Sequence, residues 1–245
     1  MKAESVAQRT LLDLAEVDGE LARVAHRRAN LPEHDEVQQA ERALQEHRDT
    51  LVSAQTSGSD LAAEVAKQER EVESVRAREK RDAEMLEAGS VSAKQLSEIE
   101  HELTTLRRRK QALEDDLLEV MERKEAVDLD IQRDAAAVDG AEQTLSDAQR
   151  RRDEALADLD ATRSRREADR TELTQRVPEE LLTEYDRIRT RRGTGAAMLR
   201  ARRCGSCQLE VDRSTLAAIK SAADDDVVYC ENCEAILVRT AESGL

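Results

Sequence analysis

Four cysteines near the end of the 245-residue chain have the spacing of metal ligands. They form two Cys-x-x-Cys pairs, Cys204 with Cys207 and Cys230 with Cys233, with residues 208–229 between the pairs. Two cysteines at this spacing can hold one face of a metal ion in a tight turn, and a second pair completes a tetrahedron. Because thiolates are soft ligands, four of them favour Zn²⁺ among the available metals. The spacing therefore predicts one Zn²⁺ bound by all four cysteines.

The predicted zinc site should be structural, because four protein ligands leave no position for a catalytic water. Gly205 and Asn232, which lie inside the two motifs, suit these turns because both residue types tolerate positive φ. The alternative is a redox role for either pair, but a thioredoxin-like motif belongs to a βαβ unit that this sequence does not predict. No catalytic triad or phosphate-binding loop is found either. We therefore expect a protein that is not an enzyme.

A cluster of arginines precedes the first cysteine pair. No Asp or Glu occurs between residues 187 and 203, although the whole chain has a formal net charge of −15. Guanidinium groups can clamp phosphates, so the cluster is a candidate binding site for RNA or DNA. A protein partner, the chain's own Asp224-Asp225-Asp226 segment and a solvated surface are the alternatives. The candidate residues are Arg187, Arg189, Arg191, Arg192, Arg200, Arg202 and Arg203.

The composition favours long helices over a conventional globular core. Charged residues make up 38% of the chain, and Phe and Trp are absent, so Leu, Val, Ile and Ala must form whatever is buried. Such a composition also occurs in disordered chains. From residue 1 to 177, however, apolar residues recur at alternating steps of three and four, which is the heptad pattern of a coiled coil.

Two interruptions of the heptad pattern predict where the helices end. Pro32 coincides with a slip in register and predicts a kink or a short break, because proline removes a hydrogen bond from a helix. Gly89 can adopt the left-handed conformation that ends a helix, and Ser90 or Ser92 can cap the next one. The second interruption therefore predicts the turn between two helices.

The two arms on either side of this turn, residues 2–87 and 92–177, are equal in length. Folding at Gly89 would pair them almost end to end. We therefore predict that residues 1–177 form a long antiparallel coiled-coil hairpin, with a kink near Pro32 and its tip near Gly89. A parallel coiled-coil dimer without the turn is the alternative.

The pattern changes in residues 178–245, which predict a short helix followed by a small zinc ribbon. The helix should have Pro178 in its first turn, and the Arg191–Gly195 segment should end it. A second short helix is expected over residues 214–221. The fold class is therefore mainly α, with a C-terminal C4 zinc ribbon. Short strands are predicted over residues 197–199, 208–211, 227–229 and 236–239.

Several segments resemble the bacterial C4-type zinc ribbon proteins that have an N-terminal coiled-coil hairpin. They are Pro178-Glu-Glu-Leu-Leu-Thr-Glu-Tyr-Asp-Arg-Ile-Arg, the two cysteine motifs with the Glu-Ala-Ile-Leu that follows Cys233, and the tip Gly89-Ser-Val-Ser-Ala-Lys-Gln-Leu-Ser-Glu-Ile-Glu. The resemblance implies zinc on the four cysteines and a hub that binds nucleic acid or sigma factors. In flagellated relatives the implied partners include an alternative sigma factor and RNA. Family members usually follow the last cysteine with Gly-Arg, so Glu234-Ala235 predicts the loss of a basic contact at the ribbon edge.

These features together predict a non-enzymatic, zinc-binding adaptor. Its coiled coil would be joined to a ribbon that binds nucleic acid or a protein involved in transcription or RNA handling. A purely structural coiled-coil tether, or a protein-interaction scaffold with a structural zinc, is the alternative. No apolar run approaches the roughly 18 residues that span a bilayer, and the N-terminus lacks the apolar stretch of a signal peptide. We therefore expect a cytoplasmic protein with no membrane contact and no small-molecule substrate.

Overall fold

The computed structural model describes residues 1–89 and 92–245 and consists mainly of helices. The predicted fold class, a long antiparallel helical hairpin followed by a small zinc ribbon, is confirmed. Two compact units are formed, one by Met1–His34 with Arg151–Leu245 and the other by Asp35–Arg150. The helices are α1 (Ser5–Ala29), α2 (Pro32–Glu87), α3 (Ala93–Thr174), α4 (Glu179–Arg192) and α5 (Arg213–Ser221). The strands are β1 (Ala196–Arg200), β2 (Arg203–Cys204), β3 (Val228–Tyr229) and β4 (Ile236–Val238). The predicted domain boundary between residues 177 and 178 stays a prediction.

The helices break where the heptad pattern is interrupted. The first helix ends at Ala29, and the backbone N–H of Asn30 donates to the carbonyl of His26 at 3.1 Å. Pro32 is the first residue of α2, where a helix needs no backbone N–H donor. The proline therefore begins a helix and does not bend one from within.

A capping box begins the third helix. Gly89 has a φ of 64° after the end of α2. The backbone N–H of Ser92 donates to Oε1 of Gln95 at 2.9 Å, and the N–H of Gln95 lies 3.4 Å from Oγ of Ser92. These reciprocal bonds satisfy backbone donors that a helix start leaves unpaired. Ser92 is thus one of the two caps that the sequence predicted, and Ser90 lies outside the described residues.

In the unit Asp35–Arg150, α2 and α3 run antiparallel. Ion pairs join Arg48 to Glu142 and Arg76 to Glu114, both at 2.6 Å. Because the partner's number falls as the residue number rises, the pairing is that of a hairpin within one chain and not of a parallel dimer. Gly58 faces α3 closely, since a Cβ there would lie 3.0 Å from Cδ1 of Ile131. Buried heptad residues in this unit include Val37, Ala40, Leu44, Val72, Leu103, Leu106 and Val120.

Spin labels on α2 and α3 are expected to report this antiparallel pairing. Ala40 lines the same cavity as Ala137 and Gly140, so labels at the exposed neighbours Glu41 and Asp139 should give a short distance. The reason is that packed helix axes lie about 8–10 Å apart. Electron-spin distance measurement on zinc-loaded protein checks this. Protein without the two introduced labelling sites, treated with the same label, measures the background signal from the native cysteines.

Labels at Glu41 and Arg81, both exposed on α2, are the control. They lie 40 residues apart along one helix and should report roughly 60 Å. Diluting the labelled protein with an excess of unlabelled protein must leave the short distance unchanged. Loss of that distance on dilution would mean that two chains, and not one, provide the pairing.

In the other unit, α1 packs against the end of α3, against α4 and against the sheet. Fully buried side chains from three elements, Leu14, Tyr185 and Ile236, belong to one apolar core. The chain start is tied to the ribbon: the N–H of Ala3 donates to the carbonyl of Asp225 at 2.7 Å, and the N–H of Val227 donates to that of Met1 at 3.1 Å. The zinc ribbon therefore shares its core with the first helix of the chain.

A charged network is enclosed between α1, α3 and α4. The side chain of Asp18 is only 5% exposed. Its carboxylate accepts hydrogen bonds from the Tyr185 hydroxyl and from Nε of Arg170, both at 2.8 Å, and Nε of Arg189 lies 3.3 Å away. Arg170 also binds Asp186 at 2.8 Å. Because buried charges are costly unless paired, this network requires the three helices to meet in one arrangement.

The four strands form one mixed sheet in the order β2-β1-β4-β3. The central pair, β1 and β4, is parallel, and the two outer pairs are antiparallel. The prediction of a strand over residues 208–211 was wrong, because Gln208 has a φ of 61° and only an isolated bridge joins Arg203 to Glu210. The strand beside β1 is instead β2, which carries the first cysteine.

The short helix α4 begins one residue later than predicted. Pro178 is its N-cap with a φ of −56°, and Glu179 is the first helical residue, so the proline precedes the first turn. Gly193 ends the helix in the left-handed conformation with a φ of 85°. That end agrees with the prediction that the Arg191–Gly195 segment stops the helix. No helix in the described ranges 1–89 and 92–245 is long and apolar enough to cross a membrane.

Candidate metal centre

The ribbon brings the four cysteine sulfur atoms together. Cys204 ends β2 and Cys230 follows β3, while Cys207 and Cys233 lie in the turns after them. The Sγ atoms of Cys204 and Cys233 are 3.7 Å apart, those of Cys207 and Cys230 are 3.8 Å apart, and all four lie within 4.8 Å of one another. A tetrahedron with Zn–S bonds of about 2.3 Å has edges of about 3.8 Å. The arrangement therefore fits one zinc ion held by four thiolates.

The two turns reverse direction one residue after the second cysteine of each pair. Gln208 and Glu234 have φ values of 61° and 64°, and their N–H groups donate to the carbonyls of Cys204 and Cys230 at 2.8 and 2.9 Å. The tolerance of positive φ that the sequence assigned to Gly205 and Asn232 is therefore not used, because the reversal falls after the motif and not inside it.

Gly205 is nevertheless required by space. A Cβ at this position would lie 2.9 Å from the carbonyl oxygen of Met198, closer than a side chain can approach. The N–H of Gly205 donates to that same carbonyl at 2.9 Å. The glycine thus allows the first cysteine turn to lie against β1.

Backbone N–H groups stabilise the thiolates that zinc needs. Burial raises the pKa of the metal-free Cys204 thiol to about 12. The N–H groups of Cys207 and Ser206 lower this pKa but do not outweigh burial. At Cys233 burial also raises the pKa, but the N–H of Ala235 and the neighbouring thiols outweigh burial, and the pKa is lowered. Because a metal displaces the thiol protons, these donors favour the charged form that ligates zinc.

Acidic residues anchor both ends of the second cysteine turn. Glu234 binds Arg192 at 2.5 Å and Arg191 at 3.7 Å, and the hydrogen bond from Arg192 is the main reason that the pKa of Glu234 is lowered. Glu231 accepts hydrogen bonds from the N–H of Asp212 at 2.9 Å and from the hydroxyl of Thr215 at 2.7 Å. The turn is therefore held between α4 and α5.

The expected loss of a basic ligand contact at Glu234-Ala235 stays a prediction. In the fold, two arginines of α4 contact the Glu234 carboxylate. The positive φ also explains why glycine suits the position, since glycine adopts that conformation without strain. In this chain the ion pairs hold a glutamate there instead.

Most of the arginine cluster is paired with acids, some on the same helix and some brought in by the fold. Arg187 binds Glu184 at 2.7 Å on the same helix. Arg189 binds Asp186 and the buried Asp18, both at 3.3 Å. Since Arg191 and Arg192 both bind Glu234, each of the four arginines of α4 contacts an acidic side chain.

The three remaining arginines surround the turn between β1 and β2. Arg200 binds Glu242 at 2.9 Å, and both side chains are exposed. Arg202 donates from Nε to the carbonyl of Gly244 at 3.1 Å, and its terminal nitrogens have no hydrogen-bond partner among the residues that the structure describes. Arg203 is exposed and has no ion pair or side-chain hydrogen bond within residues 1–89 and 92–245. These three residues are named the hairpin arginines, after the β-hairpin of β1 and β2 and not the helical hairpin.

The Asp224-Asp225-Asp226 segment does not bind the arginine cluster. Lys2 contacts Asp225 at 3.0 Å and Asp226 at 3.8 Å. Arg239 donates to the carbonyl oxygen of Asp226 at 2.9 Å. The acidic segment is thus used to join the chain start to the ribbon.

Two basic residues of α5 were missed in the sequence. Arg213 and Lys220 are exposed and have no ion pair within the described ranges of the chain. They lie seven residues apart, so they share one face of the helix. The seven-residue spacing could have indicated this basic face from the sequence. The sequence did not indicate that Arg213 and Lys220 lie on the same ribbon as the hairpin arginines.

Comparison with known proteins assigns the family. A family model described as a CT398-like coiled coil hairpin domain matches residues 14–193, and a second, described as a C4-type zinc ribbon domain, matches residues 203–237. The chain therefore belongs to the CT398-like coiled-coil hairpin family and carries a C4-type zinc ribbon. The predicted resemblance and the predicted single structural zinc are both confirmed.

Relatives cover almost the whole chain. An uncharacterized protein of Mycobacterium tuberculosis is 40% identical over 239 residues, which are 98% of each chain. A solved structure from Mycobacterium smegmatis is 44% identical, with a TM-score of 0.85 over 98% of this chain and 100% of that one. CT398 from Chlamydia trachomatis has 16% identity and a TM-score of 0.65 over 96% of this chain and 98% of that one, which shows the shared fold alone.

Proposed function

We propose that the protein is a non-enzymatic adaptor in which a structural zinc ion fixes a ribbon that binds a macromolecular partner. The observation that carries the proposal is the closed set of four thiolates beside an exposed basic hairpin. Four protein ligands leave the metal no open position, so the zinc supplies stability and not chemistry. The hairpin arginines Arg200, Arg202 and Arg203 then form the contact surface.

A protein partner is favoured over nucleic acid. The four arginines of α4 already bind acids of the same chain, which lowers the positive potential that a phosphate backbone would meet. No Phe or Trp exists in the chain to stack on unpaired bases. The net charge of −15 also repels nucleic acid at long range. RNA or DNA binding through the hairpin arginines is therefore the second candidate.

Reversing the charge of the hairpin arginines is expected to abolish partner binding without releasing zinc. Zinc-loaded full-length protein and the variant Arg200→Glu/Arg202→Glu/Arg203→Glu are used to capture partners from nuclease-treated lysate, and both are titrated with labelled RNA and DNA. A protein partner survives nuclease treatment. A nucleic-acid partner instead gives an affinity that falls steeply with salt, because bound phosphates release counterions.

The matched control is Arg27→Glu/Arg42→Glu/Arg109→Glu. These three arginines are exposed and have no ion pair in the part of the chain that the structure describes, so the control changes the net charge equally. Only the hairpin variant should lose its partner. Equal binding by the two variants would refute the hairpin as the contact surface, and absence of any captured protein or nucleic acid would refute the adaptor.

A further inference from the structure

A groove on the ribbon combines free basic groups with an apolar floor. It has a volume of about 290 Å³ and lies between α5, the β1–β2 turn and the last residues of the chain. Its basic residues are Arg202, Arg213 and Lys220, and its apolar ones are Leu216, Ala217 and Leu245. This volume falls just below that of ordinary small-molecule pockets, so it suits one or two side chains of a larger partner.

The basic residues of the groove are not paired with acidic side chains. No Asp or Glu side chain lines it, and Arg213 and Lys220 have no ion pair within residues 1–89 and 92–245. The nearby Glu242 is occupied by Arg200 at 2.9 Å. In a chain with a net charge of −15, three free cations around one groove form a local exception. Their charge is complementary to an anionic partner.

The position of Arg202 is fixed by its surroundings. Arg202 has a φ of 65°, a conformation that residues other than glycine rarely adopt. The preceding residue, Ala201, also has a positive φ, of 45°. The last residues of the chain hold this turn, because the N–H of Arg202 donates to the carbonyl of Ser243 at 3.0 Å and its Nε donates to that of Gly244 at 3.1 Å. The terminal nitrogens of the guanidinium stay available as a planar pair of donors.

We propose that this groove binds an acidic peptide segment of a partner protein, with one apolar side chain inserted between Leu216, Ala217 and Leu245. Carboxylates of the segment bind Arg202, Arg213 and Lys220. The apolar floor favours a peptide over nucleic acid, since a phosphate backbone has no apolar side chain to bury, and aromatic residues for base stacking are absent from the groove. This inference rests on the proposed adaptor function and names the chemistry of its partner.

A phage-displayed library of random linear peptides, selected on zinc-loaded full-length protein, tests the groove. We expect selected sequences to combine Asp or Glu with a large apolar residue. Ala217→Glu should weaken the binding of a selected peptide by about tenfold or more, because it places a like charge in the groove. The matched control is Ala218→Glu, which puts the same side chain at the next exposed position of α5, outside the groove lining.

A second variant tests the charges alone. Arg213→Glu/Lys220→Glu removes two exposed cations without breaking an ion pair in the described structure, so the ribbon should retain its zinc and its fold. Arg27→Glu/Arg42→Glu is its charge-matched control. Binding of the selected peptides should be lost only in the first of these variants. Selection of peptides without acidic residues, or equal binding by the Ala217 and Ala218 variants, would overturn the proposal.

A labelled single-stranded RNA oligomer distinguishes failure of the peptide-binding groove from failure of the adaptor function. If RNA binds and the Arg213→Glu/Lys220→Glu variant loses it while no acidic peptide is selected, the peptide proposal fails and the adaptor function stands. If the lysate capture described above yields no partner and no peptide is selected, both fail. Peptide binding that persists when RNA is in excess supports the groove as a peptide site.

Discussion

Replacing Cys204 with Ser is expected to release the zinc ion and unfold the ribbon, while the helices of residues 35–150 remain folded. The apolar core around the metal contains only eight buried residues, and two of them, Cys204 and Cys230, are ligands themselves. Structural zinc contributes roughly 10–16 kcal/mol of binding free energy in small zinc peptides. A core of this size cannot replace that amount, so the loss of one ligand should be the largest effect of any single substitution.

The zinc content measured by elemental analysis should be one ion per chain in the unchanged protein and none in the purified Cys204→Ser variant. Amide resonances of residues 196–238 should lose their dispersion, while far-ultraviolet circular dichroism should retain most of its helical signal. Ser206→Ala is the matched control, because it changes a polar side chain in the same turn and keeps the backbone N–H that supports Cys204. Full zinc content in Cys204→Ser would contradict the assignment of this ligand, and ribbon resonances that do not respond to a chelator would contradict a structural role.

Replacing Asp18 with Ala is expected to destabilise the packing of α1 against α4 by about 3 kcal/mol, the lower end of the range for removing one partner from a buried ion pair, because the partly exposed Arg170 and Arg189 both keep Asp186. The substitution leaves Arg170 and Arg189 without the buried carboxylate that both contact, and it leaves the buried Tyr185 hydroxyl without its acceptor. Hydrogen exchange of the α4 amides should therefore accelerate strongly, and chemical denaturation should show an earlier loss of this unit.

Two variants separate the charge effect from general damage to α1. Asp13→Ala removes an exposed acid from the same helix and should change stability by less than about 0.5 kcal/mol. Tyr185→Phe removes only one hydrogen bond to a charged group, so we expect about 1.5–3 kcal/mol. If Asp18→Ala behaves like Asp13→Ala, the network does not hold the helices together.

The sequence determined the features that depend on local or periodic patterns. The heptad spacing predicted the antiparallel hairpin, because a continuous apolar track needs a partner helix and the glycine at residue 89 provides the turn. Pro32 predicted an interruption of the heptad track, because proline has no backbone N–H for a hydrogen bond in the helix interior. Ser92 predicted a helix cap, because its hydroxyl can accept from a backbone N–H at a helix start. The cysteine spacing predicted the zinc site, because the thiolate ligands and the geometry of the two turns are almost sufficient to identify the metal.

Only the tertiary structure decided which charges are free. The sequence showed an arginine cluster without acids, yet Asp18 and Glu234 reach it from positions distant along the chain and pair with three of its seven arginines. The free cations Arg213 and Lys220 lie on another helix and became part of the ribbon's basic groove only through folding. Charge compensation depends on distance in space, since the interaction between two charges falls with separation and with solvent screening. No pattern along the chain records that distance, and for this reason the sequence predicted the metal but not the surface beside it.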